Sequence, residues 1–147
     1  MPLVFAQRPI VIAPVTLIED HVAAVLARLR EDPQLTDVIF EGDPVGDPER
    51  YANVYHDTGF FDRSSYVRAQ HDVTVTFTIH SVGAERWQAA WVASRIVSSL
   101  LGFLPDLPGR RCWRMTAEGT QPVRRDDGIV PPKFLAVNRF ALRSTPA

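Results

Sequence analysis

The chain has 147 residues but only one cysteine and one lysine, and this scarcity narrows its chemistry. A lone cysteine, Cys112, excludes an intrachain disulfide and a thiolate metal cluster. It lies in a strand-like segment next to Trp113, where a half-buried structural thiol is expected and a nucleophile is the alternative. The glycines of residues 42–46 have the wrong spacing for a glycine-rich phosphate loop and no lysine follows them, since Lys133 is the sole lysine.

Long apolar runs and a strong net charge are also missing. No stretch approaches the roughly 20 apolar residues that a membrane helix requires. Residues 1–14 are apolar but are interrupted by Arg8 and Pro9, which makes them a poor signal peptide. We therefore expect synthesis in a cytoplasm and no membrane partner. The net charge of −1 provides no overall basic field for nucleic acid.

Catalytic and metal-binding patterns are scarce. His56, His71 and His80 are the metal candidates, but their spacing matches no zinc motif. His71 and His80 are separated by an odd number of residues, so a regular strand would place them on opposite faces. There is no G-x-S-x-G motif, and the carboxylates cluster in proline-rich segments without the buried support that a general acid or base requires. We expect no catalytic residue, no cofactor and no metal.

A long strand followed directly by a helix is the clearest pattern in the sequence. From Val67 to His80 the chain alternates between two sides and is rich in β-branched residues, which is typical of a half-buried strand. Residues 81–83 then predict a turn. Up to Leu100 apolar residues recur at spacings of three and four, which predicts a helix, and Gly102 supplies its left-handed C-terminal residue.

The other segments predict an α+β fold. A first amphipathic helix begins near Thr16, which stands at capping-box spacing from Glu19, and ends near Asp32. His21 is placed off its apolar stripe and is expected in solvent. Further strands are predicted at 38–40, 52–56, 112–118 and 134–144. The order α-β-β-β-α-β-β predicts a single domain over residues 1–147, with a mainly antiparallel sheet and two helices packed on one face.

Two polar segments, residues 41–50 and 119–133, are predicted as loops without a core of their own. The first is acidic, and its carboxylates are Glu41, Asp43, Asp47 and Glu49. The second carries both signs of charge, at Arg124, Arg125, Asp126 and Asp127. These four residues form either a solvated turn or ion pairs with a neighbouring subunit.

Two aromatic pairs have more than one interpretation. Phe60 and Phe61 are adjacent in a polar segment, where they either plug the edge of the core or anchor a partner. Trp87 and Trp91 lie beside the apolar stripe of the second helix. They either pack at the margin of the sheet or form a second apolar face that meets another subunit.

Several segments, taken in order, carry a resemblance to a known family. They are Val54-Tyr55-His56, the strand of residues 73–83, Gln88-Ala89, Leu100-Leu101-Gly102, Arg125-Asp126-Asp127-Gly128, Asn138-Arg139-Phe140 and Ser144-Thr145-Pro146. In their order, in the size of the chain and in the strand-to-helix junction, they resemble the tail terminator, or tail completion, proteins of long-tailed bacteriophages and prophages.

The resemblance implies a structural virion protein without enzymatic activity or cofactor. Subunits of that family form a hexameric ring on the last ring of tail tube protein, stop tube polymerisation and present a surface to the head-side connector protein. Location in the virion tail, assembly in the host cytoplasm and contact with DNA only in transit through the pore are also implied. The alternatives are a neck or head-completion connector, and a small α+β enzyme or ligand-binding domain.

Within such a ring, the candidate site residues have two expected locations. The acidic carboxylates of residues 41–49 are expected to line the pore, since a basic lining would hold phosphates and slow the passage of DNA. The two aromatic pairs and residues 124–127 are expected to contact neighbouring subunits or partners.

Overall fold

The computed structural model describes residues 14–61 and 72–147. Two helices and seven strands are found in these ranges, and the predicted α+β class is confirmed. In chain order they are α1 (Pro14–Arg30), β1 (Ile39–Glu41), β2 (Arg50–His56), β3 (Phe60–Phe61), β4 (Val73–Gly83), α2 (Arg86–Leu100), β5 (Arg110–Cys112), β6 (Thr116–Asp126) and β7 (Lys133–Pro146).

The strands form one mixed sheet with the central order β1-β2-β4-β7-β5. Strand β3 pairs with the start of β4, and β6 pairs with β7. β1 and β2 are parallel, and the other described pairs are antiparallel, as predicted for most of the sheet. Strands β3 and β5 are absent from the predicted order because two or three residues are too few to show a period.

Both helices pack on one face of the sheet and enclose the main core. The alternating residues Val73, Val75, Phe77 and Ile79 of β4 are all buried on this face, as the period of two predicted. In the middle of α2 the buried residue is Val92, in place of the predicted Ala93. The helix residues of the same core are Val22, Val25, Leu26, Leu29, Val92, Ile96 and Leu100.

The junction between β4 and α2 is tighter than predicted. Residues 81–83 are not a turn, because they continue β4 and pair with both β2 and β7 as far as Gly83. A Cβ atom added at Gly83 would lie 2.5 Å from Cβ of Gln88 and 2.7 Å from the backbone nitrogen of Ala89. Glycine at this position therefore allows the first turn of α2 to pack directly on the end of β4.

Helix and strand boundaries differ from the prediction by a few residues. Helix α1 begins at Pro14, before the predicted N-cap Thr16, and proline is favoured in a first helical turn. Gly102 follows α2 with a φ of 78°, the left-handed conformation that was predicted. The predicted strand residues 67–71 lie outside the described residues, and β4 begins at Val73.

The predicted loop of residues 119–133 is wrong over about half its length, because β6 extends from Thr116 to Asp126. It pairs with β7 through two irregularities, near Glu118 and Pro122. None of its residues is buried, so the strand has no apolar alternation that would identify it in the sequence. Only its pairing with β7 defines it.

Candidate assembly surfaces

The face of the sheet opposite the helices carries no described helix. Thr74, Thr76 and Thr78 of β4 lie on it and are half-buried. At the end of β4, Val82 lies between Tyr51 and Leu135 on the neighbouring strands, in a second, smaller core. The opposite end of this face, at the start of β4, is more open.

An open cleft of about 530 Å³ lies at that end, and we call it the Trp113 cleft. The indole of Trp113 is 44% exposed, and the guanidinium of Arg143 lies 4.6 Å from its ring centroid. The backbone nitrogen of Trp113 donates a hydrogen bond of 2.9 Å to the Arg143 carbonyl, which holds the Trp113 backbone beside the end of β7. The residues that line the cleft are Thr74, Trp113, Arg114, Thr116, Glu118, Ala141 and Arg143.

Phe60 and Phe61 lie near this cleft, in strand β3. Phe60 pairs with Thr74 of β4, so it shares a face of the sheet with a residue that lines the cleft. Its side chain is 72% exposed, and that of Phe61 is 38% exposed. Phe60 is too exposed to plug the edge of the core, whereas Phe61 pairs with the buried Val73 and both interpretations stay open for it; an anchor for a partner stays a prediction for both.

The structure separates Trp87 from Trp91. Trp91 packs against the main core, and the guanidinium groups of Arg50 and Arg95 lie 4.2 and 5.1 Å from its ring centroid. Arg95 also donates two hydrogen bonds, of 2.6 and 2.7 Å, to Asp32 after the end of α1. Trp91 therefore has the packing role at the sheet margin, whereas Trp87 is 58% exposed and keeps the subunit contact as a prediction.

Residues 124–127 end strand β6 and lead into the connection to β7. Nε of Arg125 lies 2.7 Å from Oδ1 of Asp127, and both side chains are exposed. Oδ1 of Asp126 accepts a hydrogen bond of 2.9 Å from the Gly128 nitrogen, which is a local turn contact. Arg124 is exposed in β6. Part of this charge is therefore satisfied locally, and the contact with a neighbouring subunit stays a prediction.

We call residues 127–132 the hairpin tip. Val130 at its centre is 91% exposed, and Pro131 and Pro132 follow it. The tip lies beyond the first residue of β7, Lys133, which pairs with Asp126. The Trp113 cleft lies at the other end of the same strand, so the two features are separated by most of the length of β7.

The four carboxylates predicted to line a pore do not form one array. Glu41 closes β1, with Oε2 3.7 Å from Nε2 of His56. Glu49 accepts a hydrogen bond of 2.9 Å from the side-chain amide of Gln88 at the start of α2. The other two, Asp43 and Asp47, are exposed on the connection between β1 and β2. The pore lining stays a prediction for all four.

A buried polar cluster was missed in the sequence. His21 is fully buried, so the expected location in solvent is wrong. Its Nδ1 lies 2.7 Å from the Leu17 carbonyl, which can only accept, so Nδ1 carries the proton. Nε2 then accepts the hydroxyl proton of Ser144 at 2.8 Å. Nε of Arg110 donates to the same hydroxyl oxygen at 3.1 Å.

This cluster is structural, because His21 and Ser144 both have no exposed surface through which a substrate could reach them. Burial lowers the pKa of His21, as does the nearby charge of Arg110 to a smaller extent, while the hydrogen bond to Leu17 opposes them. The sequence contained a signal for this position. His21 lies four residues before Val25, and this helical spacing places it beside the apolar stripe.

Neither a metal site nor a membrane helix is found in the part of the chain that the structure describes. No three or more histidine, cysteine, aspartate or glutamate side chains are grouped there to hold a metal ion. Within the same ranges, no helix is both long and apolar enough to span a membrane.

The geometry thus defines a small α+β domain whose exposed features are an aromatic cleft and a hairpin at opposite ends of one strand. No protein-family model matches the sequence, and no curated protein matches it. Among solved structures, the chain is similar to one from the virion of a native gene transfer agent (GTA) particle, with a TM-score of 0.66. The two are 18% identical, and the match covers 84% of this chain and 92% of that one. The similarity shows a shared fold.

Proposed function

We propose that this protein is a structural subunit of a phage-like virion, and specifically a tail terminator. The observation that carries the proposal is the fold shared with a chain of a gene transfer agent virion over 92% of that chain. The match covers most of both chains, so it extends well beyond a common supersecondary motif. The sequence resemblance to tail terminators points to the same class of protein.

In this proposal the single domain is one subunit of a homo-hexameric ring on the end of the tail tube. The ring stops tube polymerisation and presents a surface to the head-side connector protein. It works without a cofactor and meets DNA only in transit through the pore. A ring requires that each subunit carry two different, mutually complementary surfaces. The proposed contact residues are the exposed Phe60, Phe61 and Trp87 and residues 124–127.

The acidic connection before β2 is proposed to face the channel. Replacing Glu41, Asp43, Asp47 and Glu49 with lysine should leave ring formation intact but slow genome ejection, because lysines bind DNA phosphates through counterion release. Ring formation is checked by sedimentation and ejection by the release of labelled DNA. Normal ejection kinetics in the substituted ring would refute the channel location.

The decisive experiment removes the protein from assembling particles and measures tail length by electron microscopy. A tail terminator predicts tails longer than normal that are not joined to heads, because nothing stops tube polymerisation. Tails of normal length that remain unjoined would overturn the terminator and favour a neck connector. Intact particles would overturn the virion role. Restoration by the wild-type protein is the control for all three outcomes.

A further inference from the structure

We propose that the hairpin tip of one subunit binds in the Trp113 cleft of the next subunit, as the two halves of a head-to-tail contact. This inference rests on the proposed ring and identifies the surfaces that join its subunits.

The two surfaces have the relative placement that a head-to-tail contact requires. The hairpin tip begins where Asp126 pairs with Lys133, and the cleft ends beside Arg143, ten residues further along β7. At the rise of an antiparallel strand this separation is roughly 34 Å. Every copy therefore carries one tip and one cleft at opposite ends of a rigid strand, so contacts can propagate from copy to copy and close into a ring.

The apolar surfaces of tip and cleft are complementary. Val130 is the most exposed large hydrophobic residue that the structure describes, and nothing in its own subunit covers it. Trp113 offers a partly exposed indole in a cleft whose volume can accept a valine and a proline side chain. Phe60 adds a second exposed ring near the cleft, next to Thr74. Aromatic residues in partly formed pockets are typical anchors of protein interfaces.

The net charges of the two surfaces are of opposite sign, because Asp127 is the one charged residue of the tip, whereas the cleft lining carries Arg114 and Arg143 against Glu118. Asp127 lies three residues before Val130 in the tip; its side chain is 74% exposed and pairs with the exposed Arg125 of its own subunit at 2.7 Å, an ion pair that solvent leaves free to exchange partners. In the cleft, Arg114 follows Trp113 directly, and the guanidinium of Arg143 lies over the indole. With Val130 on the indole, Asp127 lies within roughly 10 Å along the chain, which is within reach of a neighbouring arginine side chain.

The edges of the sheet disfavour the alternative of joining subunits by strand addition. Strand β6 has Pro122 and two register shifts, which interrupt its outer row of hydrogen-bonding groups. Strand β1 has three residues, and Nη2 of Arg30 donates to the Ile39 carbonyl at 3.0 Å. These two outer strands are thus poor templates for a further strand, which favours contacts made by side chains at the strand ends.

Local contacts and two prolines also restrict the backbone of the tip. The hydrogen bond from Gly128 to Asp126 forms its first turn, and Pro131 and Pro132 restrict the backbone after Val130. A segment that is fixed in advance loses less conformational entropy on binding.

A charge exchange tests the contact in purified protein. Asp127→Arg and Arg114→Glu should each weaken ring assembly about tenfold, and the double variant should recover most of the loss, because the pair is restored with opposite polarity. Asp43→Arg combined with Arg114→Glu is the matched control and should show no recovery. Assembly is measured by sedimentation over a concentration series, and thermal melting checks that each subunit folds. Unchanged assembly in both single variants, or no recovery in the double variant, would overturn the contact.

Cross-linking in assembled particles tests the same contact without relying on rings of the isolated protein. In a Cys112→Ser background, Val130→Cys with Arg114→Cys should give covalent ladders up to the hexamer with a short bismaleimide. Val45→Cys with Arg114→Cys, which uses another exposed valine, should not.

The results separate failure of the contact from failure of the function. Tails that lengthen when the protein is removed, together with absent ladders in particles that contain it, would overturn the contact and leave the tail terminator standing. Ladders in particles that contain the variant would support the contact. Tails that keep their normal length when the protein is removed would refute the terminator.

Discussion

His21 tests whether the buried cluster beneath α1 stabilises the fold. In a His21→Leu variant, the hydroxyl proton of Ser144 loses its acceptor, although the oxygen still accepts from Arg110. Leucine and histidine have similar volumes, so the change leaves little cavity. The dominant cost is one buried, unsatisfied donor, which corresponds to a loss of about 1–3 kcal/mol in the free energy of unfolding. Urea denaturation at pH 7.5, followed by tryptophan fluorescence, measures this loss.

A double variant shows whether the loss comes from this hydrogen bond. His21→Leu with Ser144→Ala removes both donor and acceptor, and the Ser144 carbonyl that accepts from Arg110 at 3.1 Å is retained. We expect the double variant to be more stable than the sum of the single losses predicts, by about 0.5–3 kcal/mol, as for residues in one hydrogen-bond network. Strict additivity of the two losses would refute a direct coupling between His21 and Ser144.

The pH dependence gives an independent check on the same residue. In the folded chain the pKa of His21 is lowered from its usual value of 6.5, chiefly by burial. At a pH between the lowered pKa of the folded chain and the usual pKa of the unfolded chain, the unfolded chain therefore binds more protons than the folded one. Stability from the neutral imidazole is therefore complete above about pH 6.5 and is lost as the pH falls through this window. The pKa of His80 is also lowered by burial and adds a slope of the same sign. If the free energy of unfolding changed with pH equally in the wild type and in a His21→Leu variant below pH 6.5, the pH dependence could not be assigned to His21.

Three further predictions follow from the packing and the charges. Phe77→Ala should cost about 3–5 kcal/mol of unfolding free energy, because Phe77 is fully buried between sheet and helices; a loss below about 1 kcal/mol in denaturant melts would contradict its place in the core. Gly83→Ala should lower the melting temperature, because its Cβ atom would overlap Gln88, whereas the control Gly119→Ala should have little effect, since no atom lies within 4 Å of its added Cβ; equal melting temperatures would argue against the tight junction. Arg125→Glu should weaken the ring more than the fold, and salt should weaken the wild-type ring likewise, because an exposed ion pair contributes only about 0–1 kcal/mol within a subunit; unchanged sedimentation would leave Arg125 with its local partner Asp127.

Hydrophobic periodicity predicted the helices and strands that bury one face, and it failed for strands that bury neither face. Strand β4 was recognisable because its alternating side chains separate a dry face from a half-exposed one. Strand β6 contributes no buried residue, and its two register shifts break any alternation, so the same reasoning produced a loop. Local sequence contains no information on a strand that is defined only by hydrogen bonds to a partner elsewhere in the chain.

The sequence indicated which aromatic residues would form contact surfaces, but it did not indicate where these residues lie relative to one another in the fold. Phe60 and Trp87 were recognised as aromatic residues without an obvious core, and both are exposed. Trp113 was assigned to a strand of residues 112–118, which is wrong at this position because Trp113 lies in the connection between β5 and β6. Its position near Phe60 could not be predicted, because it depends on β3 and β5 meeting the same end of β4 and β7. His21 was misplaced because a polar side chain was taken as a surface residue, although its partner Ser144 lies 123 positions away.

The pairing of β7 has a consequence for how the protein is made. This strand comes after every other described element, yet it pairs with β4, β5 and β6. While the ribosome is still adding it, β4 has one unpaired edge, and Phe77 lacks its cross-strand neighbour Phe140. Such a nascent chain exposes apolar surface and an open strand edge, which are the features that favour misassociation during synthesis. Folding of this sheet is therefore delayed until β7 has been synthesised, and contacts between distant parts of the chain make the final step slow.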